Sequence, residues 1–218
     1  TASMNLRSSR ISRGLLWCTI LAWGGIPGTS ALAEEPRFTT PQQVVDAYRR
    51  AYAQRDWPAC FSCLTPAARG EMLHECLFVA AMGETKVAHS FEKYLQVPFY
   101  ADARRSDVSP QVNALLEPAA RMVDRQPRID DQLLYQTLSK RMDLSGFVRD
   151  VSKAWGFFAD FGPVTNLRVE GDRATGELQP FPQNRTPLPP IPLNERRRFI
   201  HLQKIGNDWY LAHAWLNQ

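Results

Sequence analysis

The chain has 218 residues, 44% of them hydrophobic, which is enough for one well-buried domain or two small ones and excludes an extensively disordered protein. Its formal net charge of +4 originates at the N-terminus: residues 1–33 hold Arg7, Arg10 and Arg13 and no acid, so 23 of the 26 basic side chains face 22 acidic ones in the remainder. That balance gives no electrostatic reason to expect a nucleic-acid partner.

The N-terminal pattern is that of an export signal. After Thr1-Ala2-Ser3, extra residues ahead of Met4, come the three arginines, the apolar run GLLWCTILAWGG and Ala31-Leu32-Ala33 before Glu34. Small residues at the −3 and −1 positions suit signal peptidase, so cleavage is expected near Ala33-Glu34, leaving a periplasmic or extracellular chain. Residues 14–25 make about 18 Å of helix, too short for a bilayer core of about 30 Å, and the mature chain is expected to lack a membrane span. Trp17 is too bulky for the residue before a lipidated Cys18.

Residues 34–218 read as a single domain. Thr40-Pro41-Gln42-Gln43 is a helix start, with a threonine cap, proline in the first turn and glutamine three residues after the cap. Val45, Tyr48 and Tyr52 recur at helical spacing up to a stop near Arg55-Asp56. Asp56 caps a short helix from Trp57 through Leu64, and Thr65-Pro66 launches another that stops at Gly83. Further helices are expected near 85–96, after Ser109-Pro110, after Asp130, and from Gly146 to Trp155, ahead of the aromatic patch Phe157, Phe158 and Phe161.

From Val164 the period changes to two. VTNLRVE, a Gly171-Asp172 turn, RATGELQ, a proline-rich crossing at 180–192, RRFIHLQKI, a Gly206-Asn207 turn and DWYLAHAW form about four antiparallel strands. In the last of these, Trp209, Leu211, His213 and Trp215 alternate with Tyr210, Ala212 and Ala214, so both sides are apolar and a central or doubly covered strand is expected.

The stretch TPQQVVDAYRRAYAQRDWPACFSCLTPAAR, together with VEGDRATGEL and FIHLQKIGNDWYLAHAW, resembles the NTF2-like superfamily of cone-shaped α+β proteins. That resemblance implies a helical N-terminal half packed on the C-terminal antiparallel sheet, with a helical insertion at about 67–163. It also implies a space between the first helix and the sheet. A small apolar ligand there would meet Tyr48 and Tyr52 on one side and Trp209 and Trp215 on the other. Enzymes of the superfamily project a carboxylate into the cone, but Glu170, Asp172, Glu177, Glu195 and Asp208 all fall at turns, at strand ends or on the polar side of the alternation. Asp150 and Asp160 are the carboxylates that adjoin aromatic clusters.

Cys60-Phe61-Ser62-Cys63 places two thiols one helical turn apart. This spacing admits buried structural cysteines, a disulfide, a redox pair or, with His74 and Cys76, a metal site. His74 and Cys76 point about 200° apart on a helix, which disfavours the metal reading, and Cys76 is expected in the core. His74-Glu75 lacks the second histidine of a zinc protease, since position 78 is Phe. His201 and His213 depend on the turn between them. A two-residue turn sets His201 opposite Ala212, and a three-residue loop sets it opposite His213; Gly206-Asn207 favours the former. Arg196-Arg197-Arg198 reads as a solvated strand edge, and Asn184-Arg185-Thr186 matches a glycosylation acceptor relevant only to a eukaryotic secretory route. No phosphate-cradling glycine loop and no Gly-x-Ser-x-Gly elbow occur, and no cofactor is implied. The leading expectation is an exported bacterial envelope protein, a non-catalytic binding or structural module whose partner is a small apolar ligand or an envelope protein. The alternative is a small-molecule isomerase, dehydratase or cyclase using His213 or His201 as base.

Overall fold

A computed structural model describes residues 37–102, 107–123, 126–179 and 199–213. The leader, the proline-rich crossing, Arg196–Arg198 and Trp215 lie outside these residues. Helix α1 spans Pro41–Gln54 and opens with a full capping box: the Thr40 hydroxyl accepts from the Gln43 amide, and the Gln43 side chain accepts from the Thr40 amide. It closes at Arg55, whose φ of 57° turns the chain into Asp56. Asp56 caps α2 (Trp57–Ser62) by accepting from the Ala59 amide. Thr65 caps α3 (Pro66–Ala81) through the Ala68 amide. These local devices satisfy backbone donors that a helix start otherwise leaves orphaned.

The middle of the chain folds as α4 (Thr85–Leu95), α5 (Pro110–Leu116), a short 3-10 turn (Glu117–Ala119), α6 (Asp131–Ser139) and α7 (Leu144–Trp155). It is not purely helical as the sequence suggested. Strands β1 (Ala120–Val123) and β2 (Gln126–Ile129) form a small antiparallel hairpin before α6. Arg121 pairs with Arg128, and Pro127 stands in the second strand, so no apolar alternation announces it.

The C-terminal sheet is an antiparallel meander, β3 (Val164–Glu170), β4 (Arg173–Leu178), β5 (Phe199–Ile205) and β6 (Asp208–Leu211), with neighbours in that order. The fold is therefore α+β. Asn166, at φ 52°, marks a one-residue bulge in β3 between the Thr165–Glu177 and Arg168–Thr175 pairs. Gly206-Asn207 makes a two-residue turn, with Leu202 opposite Leu211. Ala174, Ile200, Leu202, Trp209 and Leu211 are buried on one face, whereas His201, Gln203 and Glu177 are exposed on the other.

Contrary to its apolar pattern, β6 ends the strand order rather than lying at its centre. Its outer edge is covered instead by loop backbone. The Trp209 amide donates to Phe38 O at 2.8 Å, the Leu211 amide to Cys63 O at 2.8 Å, and the Thr65 amide to Leu211 O at 2.9 Å. The chain on either side of the α1–α2 pair is thereby stitched to one strand, and α1 touches both β6 and β3.

A buried arginine ties the helices together. Arg69 on α3 is 3% exposed and donates to Phe61 O (3.2 Å), Ser62 O (2.8 Å) and the Tyr135 hydroxyl (2.7 Å), with its guanidinium over both the Phe61 and Tyr135 rings. One residue on, Gly70 lies so close to α6 that a Cβ there would fall 1.7 Å from Asp131 O. Gly70→Ala is therefore expected to prise α3 from α6 and lower stability by at least about 1–3 kcal/mol, the usual cost of overpacking. Arg69→Met, which strands Ser62 O while Phe61 O keeps its bond from the Leu64 amide, should cost about 1–3 kcal/mol. Urea midpoints equal to that of the parent chain would contradict both.

Candidate functional site

The space expected between α1 and the sheet is occupied by the protein's own rings. Tyr48 is 0% exposed. Its ring stacks on Phe161 at 4.7 Å and meets Phe158 edge-on at 6.4 Å, and its hydroxyl donates to Ala159 O at 2.9 Å. Burial, and then nearby Cys60, push the phenol well above its ordinary pKa, so it stays a neutral donor. Trp209 is 4% exposed on the inner face of the sheet. Tyr52 is only half-buried and packs edge-on against Trp57, which in turn stacks on Phe158 at 5.9 Å. Of the four proposed ligand contacts, Tyr48 and Trp209 are thus core residues, Tyr52 lies at the rim, and Trp215 falls outside the described residues. Phe158 and Phe161, which follow α7, fold back over the tyrosine face.

Cys60 and Cys63 are free thiols, 0% and 1% exposed. The Cys60 thiol points at Tyr48 O at 3.9 Å. Burial raises its pKa first, and then the neighbouring Cys63; burial also pushes Cys63 up to about 12, against a small opposing pull from Arg69. Cys76 is wholly buried and likewise raised. Thiols held in this form are poor nucleophiles and poor metal ligands. His74 does not approach them; its Nδ1 lies 3.1 Å from Asp131 Oδ1, pairing α3 with α6. Among the described residues, no group of three or more histidine, cysteine or acidic side chains could hold a metal ion.

The two sheet histidines come together by a route that the register alone does not give. His201 stands opposite Ala212, as a two-residue turn requires, and the Ala212 amide donates to His201 O at 2.9 Å. After Leu211 the strand ends and the chain bends. That bend takes His213 out of the alternation and sets its ring 6.1 Å from that of His201, nearly perpendicular at 87°. Both are exposed, on the face turned away from the helices. Partial desolvation against the sheet, and then the charge of His213, hold His201 below the ordinary histidine value.

The remaining carboxylates stay outside the core. Asp150 sits on the surface between α4 and α7, accepting from Lys93 Nζ at 2.7 Å and the Tyr94 hydroxyl at 2.9 Å. The Lys93 bond holds it below its usual value, so it is an ion-pair partner rather than a poised base. Asp160 is exposed. Open grooves among the described residues include the following two. One, of about 220 Å³, crosses the outer sheet face between Arg168, Arg173, Glu177 and Phe199. The other, of about 440 Å³, runs along the solvent side of α1 past Arg37, Asp46 and Arg50. The first joins β3 and β4 to Phe199 of β5, whereas the second is lined by the single stretch 37–59.

No family model, curated protein or solved structure matches the chain. Among the described residues, no helix is long and apolar enough to cross a membrane.

Two expectations follow for solution measurements. In a chain processed after Ala33, a thiol reagent at pH 8 should leave Cys60, Cys63 and Cys76 untouched in the native state and modify all three after unfolding; a single reactive thiol would mean a Cys60–Cys63 disulfide. In an NMR pH titration the imidazole of His201 should lose its proton at lower pH than an ordinary histidine, and His213→Gln should shift that titration upward. A His201 that titrates at or above the ordinary value would contradict the geometry.

Proposed function

We propose that this chain is an exported bacterial envelope module with an NTF2-like fold, acting by binding or as a structural element rather than by catalysis. Export rests on the arginine-flanked apolar leader and the Ala31-Leu32-Ala33 site. The NTF2-like reading is supported by a capped first helix lying against both β3 and β6 of a four-stranded meander, the relation a curled sheet needs if one helix is to reach its two outer strands. The carrying observation is Tyr48. Its ring fills the place where a cone-type enzyme would admit substrate, and its hydroxyl is already engaged by Ala159 O.

The isomerase-type alternative gains no comparable support. His201 and His213 stand on the outer face, in water, away from the enclosed polar cavity that such chemistry requires. A small apolar ligand between α1 and the sheet would have to displace Phe158 and Phe161. The surfaces left for a partner are the open grooves and the outer sheet face, which suits an envelope protein better than a buried small molecule.

Expression with its own leader in a bacterium tests the first half of the proposal. The expected product is a periplasmic or secreted chain beginning at Glu34; an unprocessed cytosolic chain would refute it. The second half is tested by titrating the native chain with naphthol- and steroid-sized apolar compounds. The Trp209 indole and Tyr48 ring signals are expected to stay in place, and saturable shifts at both would restore the ligand-cleft reading.

A further inference from the structure

The chain has four histidines, and two of them are already engaged: His74 by Asp131 at 3.1 Å and His89 by Glu92 at 3.7 Å. His201 and His213 are different. Both are exposed, and neither ring has a hydrogen-bond or ion-pair partner among the described residues. Among the described residues, nothing occupies their lone pairs. Around them on the same face stand Phe199 and Gln203 on β5, Thr175 on β4 and, one strand further, Arg168. Glu177 on β4 shares this face, and its carboxylate accepts from Asn166 Nδ2 at 2.7 Å; among the described residues no carboxylate pairs with either imidazole.

The spacing of the rings suits a shared ion. With metal–nitrogen bonds of about 2.0–2.1 Å, two imidazoles on one ion have centroids no more than roughly 6.4 Å apart. The observed separation is 6.1 Å, and perpendicular ring planes are compatible with joint coordination. Because both side chains are exposed, each can turn to aim a nitrogen at the midpoint without disturbing the core. We infer that His201 and His213 form a two-histidine binding site for a divalent transition-metal ion, with Cu(II) the best fit. Imidazole nitrogen suits copper, zinc and nickel, and copper binds such donors most tightly in the first-row series. Water completes the coordination, since no third protein donor joins the pair among the described residues. The ion would pin the segment after β6 to β5, bridging a strand end that backbone pairing has left. The site lies on the outer sheet face beside the groove that Thr175 and Phe199 line, and it needs neither export nor an NTF2-like fold, so its failure and the failure of the envelope-module proposal are distinguishable.

The test is a titration of the tag-free full chain with Cu(II) alone, in a non-coordinating buffer, followed by calorimetry and electron paramagnetic resonance. One ion per chain is expected at this site, with nitrogen hyperfine structure from two imidazoles. His201→Asn and His213→Asn should each weaken binding by at least about tenfold, because each removes the chelating arm that raises the effective concentration of the other. His89→Asn should leave it unchanged. Circular dichroism of all three variants should match the parent, as the positions are exposed. Unaltered affinity in His201→Asn or His213→Asn would overturn the inference, as would an equal loss in His89→Asn. So would a single-nitrogen signal common to every variant, which would place the copper at the chain's amino terminus.

Discussion

The structure depends on what happens at the free edge of β6. A terminal strand ordinarily presents unpaired amides and carbonyls to water or to another chain. Here Phe38, just before α1, and Cys63–Thr65, just after α2, supply the missing partners in three backbone hydrogen bonds of 2.8–2.9 Å. Those bonds fix both ends of the segment that carries Tyr48, and they bring α1 down on the inner face of the sheet. The edge is closed and the first two helices are positioned by the same contact.

From that clamp the interior follows. With α1 held against β6 and β3, Tyr48 meets Phe161, and Phe158 bridges to Trp57. Cys60 lies beneath the same helix, its thiol directed at Tyr48 O. The aromatic and thiol groups that suggested a ligand cleft or a redox pair are better understood as one packed layer. Their raised pKa values are consequences of burial rather than signs of reactivity. On the other side of α2, Arg69 donates to the Phe61 and Ser62 carbonyls at the end of the short helix, and Gly70 lets α6 approach.

The parts of this arrangement legible in the sequence are those governed by local chemistry. Thr40, Asp56, Thr65, Ser109 and Asp130 each announce a helix because a short side chain caps the amides that follow it. Gly206-Asn207 fixed the β5–β6 register because few dipeptides accept the backbone angles of a two-residue turn. What escaped detection depends on distant partners. The β1–β2 hairpin carries Arg121, Arg128 and Pro127 in place of an alternating apolar set. The filling of the cleft was hidden because Phe158 and Phe161 lie more than a hundred residues from Tyr48. The approach of His213 to His201 arises where the strand stops, and a period-two pattern carries no signal for its own end.

The most direct test is amide hydrogen exchange at Thr65, Trp209 and Leu211. If loop backbone closes the edge of β6, these three amides should exchange as slowly as the buried amides of α3, through global unfolding alone. Exchange at the rate of a freely fraying edge strand would contradict the clamp, and with it the packed interior built upon it.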